Sequence, residues 1–98
     1  MKRHYSDYVH HCMRYYLSTP EYPFEFRRSC DRLAWISCDK ALRSFDEENQ
    51  NVLKAVYTSR VLTDGVEREA KKRGLYAKHI WSLVDKFENK VAIERGLI

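Results

Sequence analysis

Apolar side chains recur at intervals of three and four residues along most of the chain, which is the period of an amphipathic α-helix. The first run predicts a helix over residues 6–18, capped by Ser6, with an apolar face made of Tyr8, Val9, Cys12, Met13, Tyr16 and Leu17. Pro20 and Pro23 follow this helix. Because proline disfavours helix at its own position and at the preceding one, the segment TPEYPFEF is predicted to be extended.

Two further runs predict helices in the middle of the chain. The second helix is expected over about residues 29–44, with an apolar face made of Leu33, Ala34, Ala41, Leu42 and Phe45. The third helix is expected to begin after Asp46 and to fade near residues 58–60. Asp46 is a favourable N-cap, because its carboxylate accepts hydrogen bonds from the first backbone N–H groups of a helix. The inward stripe of the third helix is made of Val52, Leu53, Val56 and Tyr57.

The last two predicted helices are joined by a short connection that contains a glycine. Asp64 and Glu67 have the spacing of a capping box, so the fourth helix is expected over about residues 65–73, and Gly74 stands where helices commonly end. The fifth helix is expected from about Tyr76 to Glu94, with an apolar stripe made of Ile80, Leu83, Val84, Phe87 and Val91. Long β-branched alternation is absent, so the 98 residues are predicted to form a single all-α domain of five helices.

The spacing within residues 66–85 resembles that of a helix-turn-helix. Such a motif needs a small residue where the two helices approach, a glycine in the turn and apolar residues that dock the second helix. These positions are occupied by Ala70, Gly74, Leu75, Ile80 and Leu83. Two other positions, which are more often apolar, carry Glu69 and Arg73. The pattern predicts a C-terminal helix-turn-helix unit over residues 46–98, braced by the helices of residues 1–45.

Positive charge is concentrated around this motif. The chain has 18 Lys and Arg residues against 14 Asp and Glu residues, a formal net charge of +4. Lys and Arg neutralise phosphates, and the first turns of a recognition helix meet base edges. The predicted DNA-binding residues are therefore Arg68, Lys71, Lys72, Arg73, Tyr76, Lys78 and Ser82. The alternative is a solvated basic face. Ala77, Trp81 and Asp85 are also predicted to face outward, but a large aromatic such as Trp81 beside the Ile80 stripe is more typical of the core, and Asp85 would repel phosphate.

No constellation of residues predicts an enzyme, a metal site or another cofactor. The adjacent residues His10, His11 and Cys12 point about 100° apart on a helix and cannot converge on one ion. Cys12, Cys30 and Cys38 lack CxxC spacing, which is typical of free thiols in a reducing cytoplasm. No apolar run reaches the ~18–20 residues that cross a bilayer, and no secretory signal begins the chain, so a cytoplasmic protein is expected.

The C-terminal run VYTSRVLTDGVEREAKKRGLYAKHIWSLVDKFENKVAIERGLI resembles small phage-encoded transcriptional regulators of the ArpU/RinA type, which are themselves similar to region 4 of sigma-70-type sigma factors. The N-terminal runs YVHHCMRYYLSTPEYP and DRLAWISCDKALRSF are similar in layout to short prophage and mobile-element proteins of Gram-positive bacteria. The resemblance implies a helix-turn-helix domain that acts on phage or host promoters. It places the turn glycine at Gly74 and the recognition helix at residues 76–85.

A second hypothesis is a protein–protein interaction module without DNA binding of its own. It rests on the tyrosine-rich N-terminal half, in which Tyr15 and Tyr22 are the candidate exposed side chains, and on the acidic residues 46–65. RNA polymerase and a host defence protein are the partners expected in that case, and a homodimer is a further candidate assembly.

Overall fold

The computed structural model describes residues 4–18 and 29–97, without the side chains of residues 29 and 30. Within these ranges the chain is all-helical and contains no strand, as predicted. The helices are α1 (Ser6–Ser18), α2 (Ser29–Arg43), α3 (Glu47–Tyr57), α4 (Leu62–Arg73) and α5 (Ala77–Arg95). The predicted extended segment with Pro20 and Pro23 lies outside the described residues, as does Tyr22.

Helix α5 is the central element of the bundle, because it packs against all four of the other helices. Its buried face consists of Ile80, Val84, Phe87, Glu88, Val91 and Ala92. Four of these belong to the predicted apolar stripe, whereas the fifth member of that stripe, Leu83, is only half-buried. The Phe87 ring lies between two other aromatic rings, with centroid distances of 5.6 Å to Tyr57 and 6.4 Å to Phe45. This aromatic contact joins α3 and the end of α2 to α5.

Helices α1 and α2 pack against each other through aromatic and sulfur-containing side chains. The Tyr16 ring lies 5.0 Å from the Trp35 ring, and the Tyr16 hydroxyl donates a 2.8 Å hydrogen bond to Asp39 Oδ1. Burial is the main cause that raises the pKa of Tyr16, and its bond to Asp39 adds to the effect. Cys12 and Cys38 are buried free thiols, as predicted.

Helix α3 begins as predicted, whereas α4 begins earlier than predicted. Asp46 has extended backbone angles and accepts a 2.9 Å hydrogen bond from the Asn49 amide. The predicted capping box at Asp64 is wrong, because α4 begins at Leu62 and its N-cap, Val61, makes no side-chain cap bond. The extra turn buries Gly65 against α3, where a Cβ atom would lie 2.2 Å from the Val56 carbonyl oxygen. Close packing of two helices therefore outweighs the local capping signal.

The turn between α4 and α5 forms at the predicted glycine. Gly74 has φ 66° and ψ 32°, a left-handed conformation that side chains with a Cβ atom disfavour. Its N–H group and that of Leu75 both bond to the Ala70 carbonyl, the latter at 2.9 Å. This motif ends α4 and leaves three residues, 74–76, before α5 begins at Ala77. Gly96 ends α5 in the same way, with φ 80°.

Candidate nucleic-acid interface

Five of the seven predicted DNA-binding side chains lie on the exposed surface around the Gly74 turn without a charged partner. They are Lys71, Lys72, Tyr76, Lys78 and Ser82. The Tyr76 side chain is 74% exposed, and its ring meets the His79 ring edge-on at 5.8 Å. None of the three lysines forms an ion pair within the described part of the chain. Their ammonium groups are therefore available to an external anion.

The other two predicted residues, Arg68 and Arg73, hold the buried carboxylate of Glu69. The Glu69 side chain is only 3% exposed, and its two oxygens accept 3.0 Å bonds from Arg68 Nε and Arg73 Nε. Burial alone raises the pKa of Glu69, but the two arginine hydrogen bonds and the charge of Lys72 outweigh it, so the pKa lies below its usual value. The buried carboxylate of Glu69 and the partly exposed Arg73 thus form an ion pair at the two positions that are more often apolar in a helix-turn-helix.

Arg68 also closes the end of the preceding helix. Its two terminal nitrogens donate 2.6 Å bonds to Ser59 Oγ and to the carbonyl oxygen of Ala55, in the last turn of α3. Carbonyls at a helix C-terminus lack partners inside the helix, so this guanidinium stabilises the α3–α4 junction. The geometry gives Arg68 an internal role, which the sequence pattern did not reveal.

Two more basic residues of α5 are directed at aromatic rings of the bundle. The Lys90 ammonium lies 5.8 Å from the centre of the Phe45 ring. The Arg95 guanidinium lies 5.9 Å from the centre of the Tyr8 ring, and its Nε donates a 2.9 Å bond to the Tyr8 hydroxyl. After these internal contacts, the basic residues from position 66 onward that face solvent unpaired are Lys71, Lys72, Lys78 and Lys86.

The outward face of α5 differs in part from the predicted one. His79, Ser82 and Lys86 are exposed, whereas Trp81 and Asp85 are half-buried. Trp81 packs against the core, in line with the alternative reading of that residue. His79 and Lys86 were not among the predicted site residues. Their spacing from Ser82, three and four residues, places all three on one helical face and was a usable signal.

A cleft lies beside this surface, between α1, the start of α4 and the first half of α5. It has a volume of about 680 Å³. Arg60, Lys78 and Trp81 line it together with Val61 and Leu62 at the start of α4. On its α1 side lies the buried Glu88 carboxylate, whose Oε2 accepts a 2.6 Å bond from Ser6 Oγ. The sequence pattern indicated neither this cleft nor a role for Arg60.

His10 and the described aromatic residues of the N-terminal half serve mainly in packing, whereas His4 and His11 are exposed. The His10 ring meets the Tyr57 ring edge-on at 5.7 Å. Among the described residues, no group of three or more His, Cys, Asp or Glu side chains is placed to hold a metal ion. Tyr5 and Trp35 are buried, and Tyr8, Tyr15 and Tyr16 are half-buried. These rings therefore offer little free surface to a protein partner.

In the part of the chain that the structure describes, every helix is too short or too polar to cross a bilayer. Comparison with protein-family models, with curated proteins and with solved structures returned no match to this chain. The resemblance to ArpU/RinA-type regulators and the sigma region 4-like arrangement of α3–α5 therefore stay predictions.

Proposed function

We propose that this protein is a small transcriptional regulator, encoded by a phage or mobile element, that binds duplex DNA through the α4–α5 turn and the first half of α5. One observation carries the proposal: three unpaired lysines, Lys71, Lys72 and Lys78, lie exposed within eight residues of one another around the turn glycine. Cations placed at a rigid turn before a helix are suited to DNA phosphates, since counterion release supplies most non-specific affinity.

The first turns of α5 supply side chains that can contact base edges. Lys78 and Ser82 are exposed one turn apart, and His79 adds a further donor on the same part of the helix. A lysine can reach guanine or phosphate, and serine can contact either. In this proposal Lys71 and Lys72 contact phosphates, whereas Arg68 and Arg73 act indirectly. Arg68 joins α4 to the end of α3 through its bonds to Ala55 and Ser59, and Arg73 pairs with Glu69 within α4.

The proposal is tested by fluorescence anisotropy with a labelled duplex of mixed sequence at several salt concentrations. Binding should weaken steeply as salt rises. The triple charge reversal K71E/K72E/K78E should abolish binding at moderate salt. Each lysine that contacts a phosphate should also contribute about 1 to the slope of log affinity against log salt, which single variants report.

A matched control removes the same amount of positive charge elsewhere. Arg14 on α1 and Arg32 and Lys40 on α2 are exposed and lie outside the α4–α5 surface. The variant R14E/R32E/K40E has the same net charge as K71E/K72E/K78E and should retain most of the duplex affinity. An equal loss of duplex affinity in both variants would mean that binding follows net charge alone. Absence of duplex binding by the wild-type protein at low salt would refute the proposal.

A second candidate function is binding to another protein, such as RNA polymerase. The observation in its favour is the exposed acidic cluster of Asp46, Glu47 and Glu48 at the start of α3. Exposed carboxylates suit a basic partner surface. Affinity capture with the wild-type protein and with D46N/E47Q/E48Q distinguishes this function, because a partner captured by the wild type and lost in the charge-neutralised variant would identify that cluster as the contact.

A further inference from the structure

We propose that the cleft between α1, α4 and α5 is a binding site for a small, flat, anionic ligand: an aromatic ring that carries a carboxylate or phosphate group. The volume of about 680 Å³ falls within the range of roughly 300–1,000 Å³ that is typical of ligand sites. The site shares Lys78 with the proposed DNA surface, but its existence does not depend on DNA binding.

The cations of the cleft are free, whereas its acids are occupied. Neither Arg60 nor Lys78 has an ion-pair or hydrogen-bond partner among the residues that the structure describes. Glu88 accepts the bond from Ser6, and Asp7 likewise has a partner within the protein. A ligand that enters the cleft therefore meets two cations whose donors are free, whereas both carboxylates already have partners within the protein. This asymmetry selects for an anion.

The start of α4 adds to the preference for negative charge. Leu62 and Thr63, the first residues of α4, line the cleft, and no side chain caps the helix at Val61. The first backbone N–H groups of a helix have no carbonyl partner within it, and the helix dipole places partial positive charge there. An anionic group held by Arg60 and Lys78 would also be stabilised by this helix end.

The apolar wall of the cleft indicates the rest of the ligand. Trp81 lies half-buried in the wall, so part of its indole ring is open to the cleft. Val61, which also lines the cleft, is 53% exposed and adds apolar surface to this wall. An aromatic ring stacked on Trp81 would cover both side chains. The combination of an apolar wall and paired cations fits an aromatic carboxylate or a nucleotide.

Lys78 belongs both to this cleft and to the proposed DNA surface. If the proposed function holds, a ligand that engages Lys78 reduces the positive charge available to DNA. The ligand would then act as an effector that releases the duplex. This coupling rests on the proposed function, but ligand binding does not, and the experiment therefore measures the two separately.

The test is titration of the full chain followed by ¹H–¹⁵N NMR with four probes. Salicylate and adenosine monophosphate carry the ring and the anion, whereas salicylamide and adenosine carry the ring alone. We expect both anionic probes, or one of them, to shift the Trp81 indole N–H and the Leu62 and Thr63 amides. The neutral probes should bind at least about tenfold more weakly, the factor expected for loss of a charge-assisted hydrogen bond. Which anion binds more tightly distinguishes a carboxylate ligand from a nucleotide.

Three variants locate the site. R60E should lower the affinity for the anionic probes at least about tenfold and leave the affinity for the neutral probes unchanged. W81L keeps an apolar side chain against the core and should weaken all probes, with thermal unfolding as the check on its fold. The matched control K40E, an exposed charge reversal on α2, should behave as wild type.

Several results would overturn the proposal. They are the absence of shifts with every probe, equal affinity for charged and neutral probes, or equal loss in R60E and K40E. Protection of the cleft amides by a DNA duplex but by none of the probes would also overturn it, since the cleft would then belong to the DNA surface. If the wild-type protein does not bind duplex DNA, the proposed function is contradicted, but the result with the probes still stands.

Discussion

At the scale of single residues, the most informative side chain is Glu69. Its buried carboxylate gathers Arg68 and Arg73, two residues that the charge pattern alone assigned to DNA. The sequence shows basic and acidic side chains together in α4, but it does not show which of them point inward. That choice depends on where α3 ends, because the carbonyl of Ala55 also accepts a hydrogen bond from Arg68.

Replacing Glu69 by Gln should destabilise the protein. The variant keeps the size of the side chain but removes the charge that holds both arginines. Because the arginines are 48% and 30% exposed, solvent screens part of the interaction, and we expect a loss of about 1–3 kcal/mol in the free energy of unfolding at neutral pH. Urea denaturation measures it, and the exposed neighbour variant E67Q should change stability by less than about 0.5 kcal/mol.

Glu69 should also make stability depend on pH in the acid range. Its pKa is lower in the folded protein than the usual 4.5, so its stabilising contribution is complete above that pH. The contribution is lost as the pH falls from 4.5 through the folded-state pKa. Urea midpoints measured between pH 3 and pH 7 should therefore fall less steeply in E69Q than in wild type. Parallel curves would contradict this assignment.

At the scale of helices, periodicity and capping residues predicted most boundaries correctly. Asp46 lies at the start of α3 because its side chain caps a free backbone N–H group. Gly74 and Gly96 end α4 and α5 because each adopts the left-handed conformation of a helix C-cap. The predicted start of α4 was wrong because the packing of α4 against α3 sets where the helix begins. Gly65 lies against the Val56 carbonyl, and a capping pattern that spans only Asp64 to Glu67 carries no information on that contact.

Two glycine variants separate the contact between helices from the conformation of the turn. In an open helix Gly65→Ala would stabilise by about 1 kcal/mol, but here the new Cβ atom meets a backbone carbonyl that cannot rotate away. We expect a net loss of about 1–3 kcal/mol. Gly74→Ala meets no atom within 4 Å but is strained by φ 66°, and should cost about 1–2 kcal/mol. Unfolding measurements check both; a stabilised G65A would show that the two helices can separate without cost.

At the scale of the whole molecule, the described helices bring one cationic surface and one cleft together at Lys78. A residue shared by two sites couples them, because a ligand that neutralises it lowers the affinity of the other site. This arrangement requires α1, the α3–α4 junction and α5 to meet. The residues that line the cleft come from positions 6–10, 60–63 and 78–88 of the chain.

The coupling is measurable in a competition experiment. If both proposals hold, adding the tighter anionic probe should release labelled duplex from wild-type protein, and by reciprocity the duplex should weaken the probe. R60E should still bind duplex, although it has one cation fewer, but the probe should no longer release the duplex from this variant. Release of duplex from R60E at the same probe concentration would show that the probe acts through ionic strength rather than through the cleft.

Local chemistry in the chain was enough to predict an all-helical protein, its buried stripes, two glycine-ended helices and the basic character of the α4–α5 region. These properties depend on neighbours within one or two turns, which the order of residues specifies directly. The fold alone determined the early start of α4, the capture of Arg68 and Arg73 by Glu69, and the cleft beside Trp81. The start of α4 and the cleft depend on contacts between different helices. The pairing of Glu69 with both arginines lies within α4, but burial of its carboxylate, which makes the pairing necessary, depends on how α4 packs in the bundle.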